Sequence, residues 1–556
     1  MRFLNFKMTA KLRIQLSQIN STVGDLDGNC AKILSEFKKA NQAGCDLVVF
    51  QEMTICGYDA QDLWQKKYFI SAVKEKILEI LNVTRGSKCA ILLGAPIFST
   101  SRSQKEVLFN SALLLENGEI KKIINKKSLP KYAVFDEQRY FAADNAISCV
   151  EFRGQTLAIL ICEDLWDERN LFLLSEQIFD TAVVINASPY SSKKHQYRHK
   201  ICQNFSKKLA KPLIYVNQVG GQDSLVFDGS SFVMNSAGEI ILQMQEFTED
   251  SAIVEIEKDG KISAKTKQNS LSTKTARDYL ACLLGLRDYV QKNNFNKVLL
   301  GMSGGIDSAL VACLAVDALG SENVALYALP SRFNSEASMV DATKCAENLK
   351  INLEVISIEM PFSAMLMTLD DISDLAKENL QSRIRGNILM TLSNSSGALL
   401  LSTGNKSELA CGYATLYGDM CGAFNPIKDL YKTEVYELAQ WRNENMPEIS
   451  AFKEKNLIPQ NILEKAPTAE LRPNQKDSDS LPEYEILDKI LFHLIEEKKS
   501  VTEIISAGFA EELVKKIAKL FYASEYKRQQ SCLGPKISDM AFDKERRYPI
   551  TNKFTK

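Results

Sequence analysis

Short apolar runs alternate with amphipathic stretches along nearly the whole chain, the pattern of strands followed by helices in α/β proteins. In the first half a strand is expected from Lys11 onward. Further strands are expected at Leu47–Phe50, Ala90–Leu93, Ser111–Leu115, Leu157–Ile161, Val183–Ile185 and Leu213–Val216. Ser230–Met234 and Glu239–Leu242, joined by Asn235–Gly238, predict a hairpin that closes this unit, and Lys258–Gly260 a further turn. Lys265–Thr275 is poor in large apolar residues and rich in Ser, Thr and Lys, so it reads as a linker. A second series opens with a helix around Ala276–Lys292 and continues with strands at Lys297–Gly301, Val324–Leu329, Leu353–Ile358 and Ala398–Leu401. Asn461–Leu481 is polar and proline-containing, which predicts a functional loop or a mobile lid. There is no internal repeat and no low-complexity segment.

At 556 residues the chain exceeds one ordinary core, so two domains are expected. A net charge of -1 gives no electrostatic reason to expect nucleic acid or an anionic membrane, and any anionic ligand must be held by local geometry. No apolar stretch approaches the roughly 18 to 20 residues of a bilayer span. The N-terminus lacks the long apolar core of a signal peptide, and a start at Met8 would remove nothing structural. Thirteen irregularly spaced cysteines argue against a disulfide framework. Cys411 and Cys421 suggest a metal pair, but no other Cys or His lies near them in sequence. The expectation is a reduced, cytoplasmic protein.

The clearest motif is Gly301-Met302-Ser303-Gly304-Gly305-Ile306-Asp307-Ser308, between an apolar strand and the helical run Ala309–Leu319. Adjacent glycines let backbone N–H groups close around an anion, and the helix start adds positive partial charge. Ser303 and Ser308 can donate to phosphate oxygens, and Asp307 can hold a bridging magnesium ion. The Gly-Lys-Ser/Thr ending of a Walker A loop is missing. Leu401–Glu408 again follows a strand, placing Thr403 and Glu408 at a sheet edge where α/β ligands bind. Alone, Glu408 reads as a solvated helix-start residue; beside the phosphate loop it reads as a metal ligand.

In the first half, Glu52 and Cys162 sit just beyond apolar strands, and Lys126 lies in the segment NKKSLPKYAVFDEQRYF. A thiol attacks an amide as thiolate, so it needs a base beside it and a cation for the developing oxyanion. Glu and Lys can supply both roles. A Cys–His pairing with His195 is the alternative, although Ser191–Lys200 reads as the polar, solvent-facing start of a helix.

The phosphate loop resembles the SGGxDS loop of the ATP pyrophosphatases, and Glu52, Lys126 and Cys162 together resemble the Glu–Lys–Cys triad of the nitrilase superfamily. In that order, the two are similar to the glutamine-dependent NAD synthetases. Supporting segments are Lys126–Glu137, Asn186–Tyr190, Tyr215–Asp223, Phe227–Gly229, Ser402–Asp419, Glu470–Pro473 and Glu525–Arg528. The resemblance implies an N-terminal nitrilase-like α-β-β-α sandwich over 10–264, a linker over 265–275, and a doubly wound parallel-sheet ATP pyrophosphatase domain over 276–556. It implies Glu52 as general base, Cys162 as nucleophile and Lys126 as stabiliser of the tetrahedral intermediate, with Tyr132, Ser188 and Lys194 holding glutamine. It implies ATP on Gly301–Ser308 and Thr403, magnesium on Asp307 and Glu408, and deamido-NAD on Asn379, Glu408 and Lys527. The implied reaction releases ammonia from L-glutamine, adenylates deamido-NAD with ATP, and amidates it to NAD with release of AMP and pyrophosphate. Small molecules are the expected partners, with neither nucleic acid nor membrane, and a homo-oligomer is implied.

Overall fold

The computed structural model describes residues 11–100, 106–257, 259–264, 269–369, 371–468, 470–472, 475 and 481–554. Met8, Lys258, part of the expected linker (265–268) and Pro473 lie outside the described residues. The chain separates into two compact units: one up to Gln222 and over Val226–Ser272, the other over Asp223–Leu225 and from Thr273 onward.

The first unit is built on two large sheets. One has seven strands, in the order Ile262–Ala264, Asp250–Ile256, Leu12–Gln18, Leu47–Val49, Ala90–Thr100, Glu106–Glu116 and Glu119–Asn125. The other has six: Ile240–Gln243, Phe232–Met234, Leu213–Asn217, Thr181–Asn186, Gln155–Ile161 and Ser148–Phe152. The middle strands of each run parallel and the outer ones antiparallel. Ile14, Leu16, Val49 and Leu92 of the first sheet share a core with Leu157, Ile159, Val183 and Val216 of the second, so the sheets pack face to face. Alternate residues of those strands point outward to helices. Leu160, Val184 and Tyr215 pack with Leu174, Cys202 and Phe205 of the helices Glu168–Ser175 and Lys194–Leu209. Leu26–Gln42 and Lys67–Thr84 cover the other sheet. The result is an α-β-β-α sandwich. The expected hairpin is antiparallel, but it does not close the unit. Asp250–Ile256 returns to the first sheet and pairs antiparallel with Leu12–Gln18, because its alternating apolar residues fill that sheet's open edge.

The second unit is built on a parallel four-stranded sheet in the order Leu353–Val355, Val324–Ala328, Val298–Gly301 and Leu399–Leu400. The order reverses between the strand Val298–Gly301 and its neighbour Leu399–Leu400, which is where doubly wound sheets open a ligand crevice. Helix Lys274–Lys292 begins on Thr273, whose side chain accepts from Ala276 N–H as an N-cap. A separate apolar cluster gathers Leu487, Leu491, Val514, Ile517 and Phe521 from the C-terminal helices around the helix Lys406–Cys411. The strand expected over Leu353–Ile358 stops at Val355, since Val355 itself is largely exposed at the sheet edge.

Candidate active sites

In the first unit the three expected residues converge from separate strands. Glu52 follows the strand Leu47–Val49, Lys126 follows Glu119–Asn125, and Cys162 follows Gln155–Ile161. All three are buried. Lys126 Nζ lies 2.8 Å from Glu52 Oε1 and 2.8 Å from Glu137 Oε1. Asn110 Nδ2 donates to Glu52 Oε1 at 2.7 Å, and the Ala187 N–H donates to Glu52 Oε2 at 2.9 Å. Tyr58 donates to Glu137 Oε1 at 3.0 Å. Gly94 permits this closeness, because a Cβ there would lie 2.3 Å from Met53 N and 2.7 Å from Glu52 Cα.

Cys162 has φ +46°, a left-handed conformation costly for a side-chain residue, at the first position of a short 3₁₀ turn. Asp164 fixes that elbow to the lysine loop by accepting from Ile161 N–H at 3.1 Å, Lys127 N–H at 3.0 Å and Ser128 N–H at 2.7 Å. Burial, then the Glu52 carboxylate, push the Cys162 thiol well above its ordinary range against the pull of Lys126. The thiol is therefore protonated at rest and must hand over its proton as it attacks. Burial disfavours the Lys126 ammonium, but Glu137 and Glu52 outweigh it and keep the cation charged. Burial also raises Glu137, to about 7, despite Lys126.

Glu137 and Asn110 carried no individual role in the sequence. Glu137 ends the Lys126–Glu137 segment, so its spacing was the available signal. Asn110 had none, because a polar residue inside an apolar strand does not reveal which neighbour it faces.

Of the residues expected to hold glutamine, Tyr132 is half exposed and its hydroxyl donates to both oxygens of Glu163, at 3.1 and 2.9 Å. Ser188 is buried; its N–H donates to Asn217 Oδ1 at 2.9 Å and its carbonyl accepts from Arg198 Nη2 at 2.7 Å. Lys194 Nζ sits 4.2 Å from the Trp166 ring centroid. The helix start expected to face solvent instead buries His195 and Arg198. Arg198 turns inward to pair with Asp228 at 2.7 and 2.8 Å, and His195 packs on His199 with ring centroids 4.1 Å apart. Glu52, Lys126, Glu163 and Glu137 are among the groups acting most strongly on the Cys162 thiol.

In the second unit a cavity of about 320 Å³ is lined by the whole Gly301–Ser308 loop together with Thr403 and Glu408. Gly304 has φ +78°, and a Cβ there would meet the Ser338 carbonyl oxygen at 2.2 Å. The loop folds on itself: Ser303 Oγ and Ser308 Oγ lie 3.1 Å apart, and Gly305 N–H donates to Ser303 Oγ at 3.2 Å. Asp307 opens the helix Ile306–Leu319 and accepts from Asn405 Nδ2 at 2.9 Å and from Lys432 Nζ. Glu408 forms a capping box with Asn405, and its Oε1 lies 3.5 Å from the same Lys432 Nζ. Both carboxylates thus converge on one cation, and their oxygens form the donor set that a magnesium ion takes beside phosphates. Burial opposes the Lys432 charge, but Asp307 and Glu408 outweigh it. Lys432 carried no role in the sequence reading.

Asn379 and Lys527 do not line this cavity. They flank one turn instead: Thr415 Oγ1 donates to Asn379 Oδ1 at 2.8 Å, while Lys527 Nζ donates to the Gly412 and Ala414 carbonyls, each at 2.7 Å. Among the described residues no group of three or more His, Cys, Asp or Glu could hold a metal ion, and Cys411 and Cys421 are free thiols. No described helix is long and apolar enough to cross a membrane.

The family model for carbon–nitrogen hydrolases matches residues 13–265, and that for NAD synthase matches residues 279–531. A glutamine-dependent NAD(+) synthetase of Acinetobacter baylyi is 39% identical over 97% of this chain and 98% of its own length. One from a Synechocystis strain is 41% identical over 97% and 99%. The solved structure of a glutamine-dependent NAD+ synthetase from Acinetobacter baumannii, in complex with adenosine diphosphate, matches at 37% identity and a TM-score of 0.77. It covers 98% of this chain and 99% of that one.

Proposed function

The chain belongs to the glutamine-dependent NAD(+) synthetase family, and from that premise we propose how its residues divide the reaction. The glutaminase unit spans 10–264 and the synthetase unit 276–556, joined by 265–275. Cys162 Sγ attacks the side-chain carbonyl of glutamine while its proton passes to Glu52, and the Lys126 ammonium stabilises the oxyanion that forms. When the C–N bond breaks, Glu52 returns the proton to the leaving nitrogen, so ammonia departs and a thioester remains on Cys162. Water, deprotonated by Glu52, then releases glutamate. Tyr132, Ser188 and Lys194 hold the amino-acid end of the substrate. Lys194 does so as a point charge steadied by the Trp166 face, since a lysine lacks the bidentate grip of arginine.

In the synthetase unit Gly301–Ser308 and Thr403 bind ATP, and Asn379, Glu408 and Lys527 bind deamido-NAD. The nicotinate carboxylate attacks the α-phosphorus and pyrophosphate leaves. Ammonia then attacks the activated carbonyl carbon and AMP leaves, giving NAD. Adenylation is needed because a carboxylate offers no leaving group. Magnesium would be held by Asp307 and Glu408 and would supply charge neutralisation at the phosphates. The enzyme is cytoplasmic and works as a homo-oligomer.

The observation that carries this reading is the buried contact of Lys126 with Glu52 beside Cys162, on a chain that also carries the intact Gly301–Ser308 loop. The test supplies deamido-NAD, ATP, magnesium and glutamine with heavy nitrogen in its side-chain amide. NAD should form carrying the heavy amide; no NAD, or unlabelled NAD, would refute the proposal.

A further inference from the structure

We propose that Asn110 is a positioning residue of the glutaminase centre, holding Glu52 and Lys126 in register and deciding which Glu52 oxygen receives the proton. The inference rests on the reading of Glu52 as the base. Asn110 lies in the strand Glu106–Glu116 and is fully buried. It touches both partners by different groups: its Nδ2 donates to Glu52 Oε1 at 2.7 Å, and its backbone carbonyl accepts from Lys126 N–H at 2.8 Å. One residue therefore sets the side chain of the base and the backbone of the cation.

A carboxylate oxygen has two lone pairs. Oε1 of Glu52 takes one hydrogen bond from Asn110 and one from Lys126, which fills it. Oε2 takes one, from Ala187 N–H, which leaves a lone pair for an incoming proton. Removing the Asn110 donor would open Oε1 as well and let the carboxylate turn about its last bond. The residue is also an uneconomical choice for packing alone. Its Oδ1 is buried with no hydrogen-bond partner among the described residues, and an apolar side chain would avoid that penalty. What an apolar side chain could not provide is the donor to Glu52.

The test compares Asn110→Leu, Asn110→Asp and Glu52→Gln in the full-length enzyme. Glutamine hydrolysis is followed across pH, and ammonia-dependent NAD formation serves as the control on the other unit. Asn110→Leu should lower the glutaminase kcat by about 10- to 100-fold, as losses of orienting hydrogen bonds do, with KM little changed. Asn110→Asp keeps the shape but sets a second carboxylate beside Glu52, so its kcat should fall further. Ammonia-dependent synthesis by the Asn110 variants should stay within about twofold, since Asn110 belongs to the first unit and the synthetase loop to the second. If both Asn110 variants keep kcat while Glu52→Gln is inactive, or lose activity only through KM, the positioning role is wrong. If Glu52→Gln is itself active, the base assignment fails and this inference falls with it.

Discussion

At the scale of single residues, the glutaminase centre is an exercise in burying charge without stranding it. Lys126 is fully buried between Glu52 and Glu137, which together compensate the desolvation of its charge. Glu137 is altered by that setting in a range where its titration can be followed. Burial raises it from its ordinary 4.5 to about 7, so the folded chain keeps a proton that the unfolded chain releases between those values. The native state therefore binds more protons across that window, and folding becomes less favourable as pH rises from about 4.5 to 7. Glu137→Gln, which cannot ionise, should flatten that fall in a pH series of thermal unfolding of the first unit. An unchanged slope would mean Glu137 is not the protonated group.

At the scale of elements, the synthetase site depends on a turn that only glycine can make. Gly304 combines a positive φ with a Cβ position 2.2 Å from the Ser338 carbonyl, so Gly304→Ala must displace either the loop or the helix that Ser335 caps. The expected outcome is a loss of ATP-dependent synthesis by about two orders of magnitude with glutamine hydrolysis unchanged, a ratio typical of misplaced catalytic geometry. Near-normal synthesis would exclude this loop as the phosphate cradle. Elements of this kind were legible in the sequence because their signals are local. Leu299 and Leu300 run into Ser303–Ser308, and the apolar run Leu157–Ile161 ends on Cys162. What lacked a local signal was partnership across the sheet. Asp250–Ile256 alternates well enough to be a strand, yet nothing in it says that it pairs with Leu12–Gln18. The helix Lys194–Leu209 looked polar at its start because Arg198 satisfies its polarity against Asp228, remote in sequence, while His195 is buried against His199. Asn110 escaped notice for the same reason.

At the scale of the molecule, two units with separate cores divide one overall reaction between them. The first supplies a nucleophile, a base and a cation for amide cleavage; the second supplies a phosphate cradle and two carboxylates converging on a cation. The central claim is that the thiol of Cys162 is the source of the nitrogen that the second unit consumes. Replacing only that sulfur tests it most directly: Cys162→Ala, assayed for NAD formation with glutamine and, in parallel, with ammonium salt. Glutamine-dependent formation should fall by at least about a thousandfold, as for loss of a covalent nucleophile, while ammonia-dependent formation stays within about twofold, because the second site is untouched. Substantial glutamine-dependent NAD formation by the variant would contradict the account.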